Sequence, residues 1–282
     1  MTVKQGVYES EGASIHYLDW GGDGPPLVLI HATGFLAALW QPIAEQLSST
    51  FRVVAMDQRG HGDSDKPAGG YTFELFADDL QLLIEELELD RPLAAGHSSG
   101  GTTIVIHAMR HPGVVQRSVL IEPILPRPDW YAGDIPSRNQ SSLAAGARKR
   151  RAVWSSREEM YESYRTRPMF EHWRKDVLRT YLEEGVADRD DGQVELKCAP
   201  EIEAQFFEAV MKVDAWPRLS EFTMPTLALW GANSHLLARG FSDQVDEAIP
   251  NIQTVLVDDS GHLLPQERPD DVARLMGDFL SD

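Results

Sequence analysis

Residues 94–101 read AAGHSSGG, two serines side by side between glycines. An apolar run, Leu93 to Gly96, leads in with the length of a buried strand, and Gly101 to His111 leads out with helical composition until Pro112 stops it. A serine presented as a nucleophile on so sharp a strand-to-helix turn sits in a strained backbone conformation. The residues two before and two after it must therefore be small. Ser98 has glycine at both positions, Gly96 and Gly100, whereas Ser99 would have His97 and Gly101. The turn gives the side-chain chemistry to Ser98. It leaves Ser99 to offer its backbone N–H to a developing oxyanion, at the positive end of the helix that follows.

Outward from this turn the chain alternates between short apolar runs and helical ones. Gln5 to Ser10 and Ser14 to Trp20 read as paired strands across the EGA turn, and PLVLIH (Pro26 to His31) and RVVAM (Arg52 to Met56) read as strands buried on both faces. Helical segments fall at Trp40 to Leu47 and at Thr72 to Leu89. In the second of these Leu75, Phe76, Leu80, Leu83, Ile84 and Leu87 recur at three- and four-residue spacing. SVLI (Ser118 to Ile121), TLALWG and TVLV add strands, and Asp270 to Leu280 a closing helix. This alternation predicts an α/β fold, a mostly parallel sheet covered by helices on both faces.

Between Pro123 and about Arg218 strand signals disappear and aromatic residues gather, among them Trp130, Trp154, Trp173 and Phe206. So long an interruption between strands of one sheet is more than a loop. The expectation is a helical cap, residues 123–218, inserted after strand six into a core of 1–122 and 219–282. Some of its aromatics, with Trp130 and Trp154 as candidates, would line a substrate cavity.

Composition narrows the function classes. With 26 basic against 44 acidic residues the formal charge is −18, which repels nucleic acid and anionic membranes. No apolar run is long enough to span a bilayer and the N-terminus lacks a signal-peptide core, so a cytoplasmic protein without membrane insertion is expected. Cys198 is the single cysteine, which excludes an internal disulfide. The basic run Arg148-Lys149-Arg150-Arg151 reads as a solvated helix face. No ligand spacing for a metal and no phosphate-binding glycine motif stands out, so neither metal nor organic cofactor is implied.

Four motifs together resemble the α/β-hydrolase superfamily, over nearly the whole chain. Besides GHSSGG, HATGFLAALW (His31 to Trp40) is similar to that family's oxyanion loop and DQRGHGDSDKP (Asp57 to Pro67) to the turn after its fourth strand. DDSGHLLPQERPD (Asp258 to Asp270) is similar to the loop that carries its catalytic histidine. The resemblance implies His262 as the base for Ser98 and Thr33 as the second oxyanion amide beside Ser99, although Ala32 replaces a glycine that relatives carry in that loop. His31 is expected to buttress the loop, His61 to be structural, and His97 to point away from Ser98 yet touch the pocket.

The third catalytic group departs from the commonest pattern of the family. Most relatives place an Asp after the seventh core strand, in a pattern like W-G-x-x-D, but Trp230-Gly231-Ala232-Asn233-Ser234 puts Ser234 there. A hydroxyl cannot stabilise the imidazolium that forms as the serine proton leaves; a carboxylate can. Other members carry the acid after strand six, where this chain has Glu122, at the carboxyl end of SVLIEP. Glu122 is therefore the expected third member.

A Ser98-His262-Glu122 triad suits acyl transfer, and the resemblance implies hydrolysis of a small apolar ester or lactone through an acyl-enzyme. Dehalogenases and epoxide hydrolases of this fold alkylate an Asp; a serine alkylated in the same way would be a stable ether. Carbon–carbon hydrolysis of a diketone is the runner-up, and a non-catalytic ligand-binding protein a third reading.

Overall fold

The structure, a computed structural model, describes residues 2–127, 143–237 and 240–281. Its centre is an eight-stranded sheet. β1 (Lys4–Ser10) and β2 (Ala13–Gly21) pair antiparallel at one edge, and β2 runs antiparallel to β4 (Arg52–Met56). From β4 the order continues through β3 (Pro26–Ile30), β5 (Leu93–His97) and β6 (Ser118–Ile121), all parallel. After an insertion that holds β7 (Val153–Trp154), β8 (Val186–Asp188) and β9 (Val194–Leu196), the parallel sheet resumes with β10 (Thr226–Gly231) beside β6 and ends with β11 (Ile252–Val257).

The parallel strands are short and apolar because successive side chains enter two separate cores. In β3, Leu27 and Leu29 pack with α1 (Gln41–Leu47) and the C-terminal helix Pro269–Leu280, while Val28 and Ile30 pack with α2 (Phe73–Glu86) and α3 (Ser99–Arg110). All four are fully buried. At about 1.5–3 kcal/mol for each aliphatic side chain taken from water, this double-sided burial holds the strand ends in register.

The insertion is not purely helical. β7, β9 and β8 form a three-stranded antiparallel sheet within it, beside helices Arg157–Tyr164, Lys175–Glu184 and Pro200–Val210. The strands are two or three residues long, too short to give a period-two pattern. Asp191-Gly192, with Gly192 at φ +79°, makes the hairpin turn between β8 and β9. The insertion packs on the loop after β3: Ala32, Phe35, Leu36 and Leu39 share one apolar cluster with Trp154, Tyr164, Phe170, Trp173 and Tyr181. No helix among the described residues is long and apolar enough to cross a membrane.

Candidate active site

At the carboxyl end of β5 the chain turns sharply into α3, and Ser98 takes φ +52° and ψ −113° to make that turn. Its N–H still extends the sheet, bonding the Ile121 carbonyl at 2.8 Å. The flanking glycines are a steric requirement. A Cβ on Gly96 would lie 2.4 Å from the Gly100 carbonyl carbon and oxygen, and one on Gly100 would lie 2.2 Å from the Ile30 oxygen. Ser99 opens α3, where a backbone N–H has no intrahelical acceptor.

His262 lies on the loop after β11. Its Nε2 is 3.1 Å from Ser98 Oγ and its Nδ1 3.1 Å from Glu122 Oε2, so hydroxyl, imidazole and carboxylate form a continuous chain. The loop is held from several sides. Ser260 Oγ donates to the Val257 carbonyl, Glu267 accepts the Gly261 N–H at 2.6 Å, and the Asn233 N–H donates to the Ser260 carbonyl at 2.9 Å. A Cβ on Gly231 would strike the Gly261 oxygen at 2.4 Å, so β10 and this loop meet backbone to backbone.

Glu122 ends β6 in a left-handed conformation, φ +49°, with its side chain completely buried. Its carboxylate receives three donors: Gly231 N–H on Oε1 at 2.7 Å, and on Oε2 the Ser234 hydroxyl at 2.6 Å and His262 Nδ1–H at 3.1 Å. Three donors on two oxygens suit a group that only accepts. Ser234, where the sequence lacks a carboxylate after β10, is thus a hydrogen-bond donor to Glu122.

The loop after β3 is a tight turn closed by the Phe35 N–H on the Ala32 carbonyl, with Thr33 and Gly34 at its corners and Gly34 at φ +81°. The Gly34 N–H donates to His61 Nε2 at 2.9 Å. His31 braces the same loop from below, its Nδ1–H on the Ala32 carbonyl and its Nε2 accepting the Gln58 N–H. Ala32 is buried among aromatics of the insertion, so its methyl group serves packing there. Burial pushes His61 down to about 3, with the neighbouring His31 adding to the effect, and burial lowers His31 as well. Both rings are therefore neutral supports.

His97 is fully buried, and its Nε2–H donates to the His262 carbonyl at 2.8 Å while its ring stacks on Phe35. Burial, and then the proximity of His262, push it down to about 3. It supports the histidine loop from beneath instead of facing an open pocket, because the side chain that precedes Ser98 points into the core. Trp154, also expected at the substrate, is buried in the packing of the insertion. Arg151 covers its ring at 4.1 Å, Tyr164 meets its edge, and its indole N–H bonds the Arg151 carbonyl. Trp130 lies outside the described residues.

His16, Asp57 and Asp63 bring three ligand-type atoms within 4.8 Å of one another. Asp57 there is the hub of a turn, accepting from His16 Nδ1 and the Asp63 N–H on one oxygen and from the Ala37 N–H on the other. Its carboxylate is already occupied.

The sequence profile of the alpha/beta hydrolase fold family matches residues 25–269. The chain belongs to the α/β-hydrolase family. Within it, the chain is similar to 2-(acetamidomethylene)succinate hydrolase of Mesorhizobium japonicum, 27% identical over 92% of this chain and 89% of that one. N-formylmaleamate deformylase of Pseudomonas putida is 25% identical over 99% of this chain and 97% of its own. The crystal structure of an E-2-(acetamidomethylene)succinate hydrolase superposes over the full length of both chains with a TM-score of 0.88 at 23% identity, a likeness of fold. In this α/β-hydrolase Glu122, at the end of β6, reaches His262, and Ser234, after β10, donates to the same carboxylate.

Proposed function

We propose that this α/β-hydrolase is a serine hydrolase that cleaves a carboxylic acyl bond through an acyl-enzyme, with Ser98 as nucleophile, His262 as acid and base, and Glu122 as the orienting carboxylate. The observation that carries the reading is the unbroken chain from Ser98 Oγ through His262 to Glu122, with both links at 3.1 Å. Ser98 attacks the carbonyl carbon as its proton passes to His262 Nε2. Nδ1–H stays on Glu122, which fixes the tautomer and stabilises the imidazolium. The tetrahedral oxyanion lies against the amides of Thr33 and Ser99. His262 then protonates the leaving group, and water, deprotonated by the same ring, cleaves the acyl-enzyme.

An apolar ester or lactone is the first substrate class for this machinery. The names of the two relatives favour a second class, N-acyl compounds, since one is a hydrolase of an acetamido compound and the other removes a formyl group. Relative kcat/KM on p-nitrophenyl acetate, a small lactone and an N-acyl enamine separates the classes. In each, Ser98→Ala and His262→Ala are expected to lower kcat by about 10⁶-fold, while Ser99→Ala retains substantial turnover. Undiminished hydrolysis by Ser98→Ala would refute the mechanism, and a fluorophosphonate that leaves Ser98 unlabelled would favour a ligand-binding role.

A further inference from the structure

The basic run Arg148–Arg151 is not one solvated face. Arg148 pairs with Glu201 and Glu208 in solvent and Arg151 with Glu159, but Arg150 turns inward. Its guanidinium pairs with the buried Glu203 and donates to the hydroxyls of Tyr181 at 3.0 Å and Tyr164 at 3.3 Å. Tyr181, itself 3% exposed, passes the chain on: its hydroxyl donates to the Gly34 carbonyl at 3.2 Å. The cluster lies directly over that glycine, since a Cβ there would sit 3.1 Å from Glu203 Oε1 and 3.5 Å from Arg150 Nη1.

Gly34 is thereby gripped from both sides of the site. The core holds its N–H through His61 and the insertion holds its C=O through Tyr181. The Thr33 N–H belongs to the Ala32–Thr33 peptide of the same turn, whose carbonyl is held by Phe35 N–H and His31, so fixing Gly34 secures the opposite corner of that turn. Three segments of the insertion, far apart in sequence, meet over this one glycine, namely Arg150 just past a helical stretch at 143–148, Tyr181 on helix Lys175–Glu184 and Glu203 on helix Pro200–Val210, and Tyr181 is the one that bonds its carbonyl. A guanidinium whose charge is already matched by Glu203 needs no anionic ligand to justify its burial. What it supplies is a fixed donor for a phenol that could otherwise rotate.

We propose that Tyr181, held by Arg150 and Glu203, is a positioning residue that fixes Gly34 and so aims the Thr33 amide at the oxyanion, making the oxyanion hole dependent on correct seating of the insertion. The inference rests on the serine-hydrolase reading above. It concerns geometry at the transition state, so its signature is a loss in kcat with little change in KM.

The decisive variant is Tyr181→Phe, which removes one hydroxyl and keeps the ring. On p-nitrophenyl acetate kcat is expected to fall about 10-fold, less than the 10²–10³-fold seen when an oxyanion donor is deleted outright. KM should move less than about two-fold, and affinity for a trifluoromethyl ketone that forms a hemiketal on Ser98 should weaken in step with kcat. Arg150→Lys, which keeps the charge opposite Glu203 but lacks the second N–H arm, should show the same split, whereas the exposed Arg148→Ala should behave as wild type. Wild-type kcat and ketone affinity in Tyr181→Phe, or a loss confined to KM or to melting temperature, would overturn the proposal. If Ser98→Ala is inactive and the ketone still binds Ser98, such a result counts against the positioning role alone. If Ser98→Ala remains active, it is the serine-hydrolase reading that fails.

Discussion

The ends of β6 and β10 lie side by side in the sheet and bring different groups to one point. At β6 the chain takes a left-handed turn and presents Glu122; at β10 it presents Ser234, whose hydroxyl donates to that same carboxylate at 2.6 Å. On the proposed reading, what matters for the acid is where its oxygens lie in space, not which of the two strand ends carries it. The β10 end takes part as well: Gly231 N–H and Ser234 O–H supply two of the three donors that hold Glu122.

The most damaging way to break this arrangement is Glu122→Gln. A carboxamide has one acceptor oxygen and an NH2 that can only donate, so it cannot accept from Gly231, Ser234 and His262 together. One donor is left facing another, and the histidine loses the partner that sets its tautomer. The expected loss in kcat is about 10⁴-fold, as for wrong-tautomer variants of other triads. Activity within ten-fold of wild type would remove Glu122 from the triad.

The β10 side should respond more mildly and in two directions. Ser234→Ala removes one of three donors but leaves Gly231 N–H and His262 in place, so a fall in kcat of about 10-fold is expected, of the size of one hydrogen bond to a charged group. Ser234→Asp sets a second carboxylate against Glu122 in a buried site. Like charges so close cannot both ionise at low cost, so this variant should melt lower than Ser234→Ala. Equal melting temperatures would mean that the β10 position is not coupled to the acid.

This pair also marks what the sequence could and could not reveal. Ser98 and Glu122 follow directly on apolar runs and His262 stands in a loop whose motif carries the family resemblance, so all three could be named from the sequence, and the structure brings their side chains together. Ser234 as a donor could not be named, because its partner is 112 residues away along the chain. Arg150 was hidden for the same reason: its partner Glu203 lies 53 residues on, and nothing local distinguishes it from the exposed Arg148 and Arg151. An apolar inner face over a pocket does not by itself say which aromatics form it, and the Trp154 ring serves the insertion's own packing. The strands of the insertion are shorter than any periodicity can register, yet Asp191-Gly192 between Val-Ala-Asp and Val-Glu-Leu is a hairpin signal that could have been read.

The smallest effect lies away from the Glu122 corner. The supports under the other two loops, His97 and His61, are held by neutral hydrogen bonds, and burial pushes both down to about 3. In the unfolded chain each ring titrates near 6.5, so between about 3 and 6.5 the unfolded state binds more protons than the native one. Stability is therefore complete above about 6.5 and declines as pH falls toward 3, the reverse of what a histidine paired with a carboxylate would give. At pH 4.5 each ring should cost roughly 2 kcal/mol relative to pH 7. Urea unfolding of wild type and His97→Gln at both pH values isolates the term, because the variant's own packing loss appears equally at each. The drop in stability between pH 7 and 4.5 should shrink in His97→Gln. An unchanged drop would mean that His97 keeps an ordinary affinity for protons in the fold.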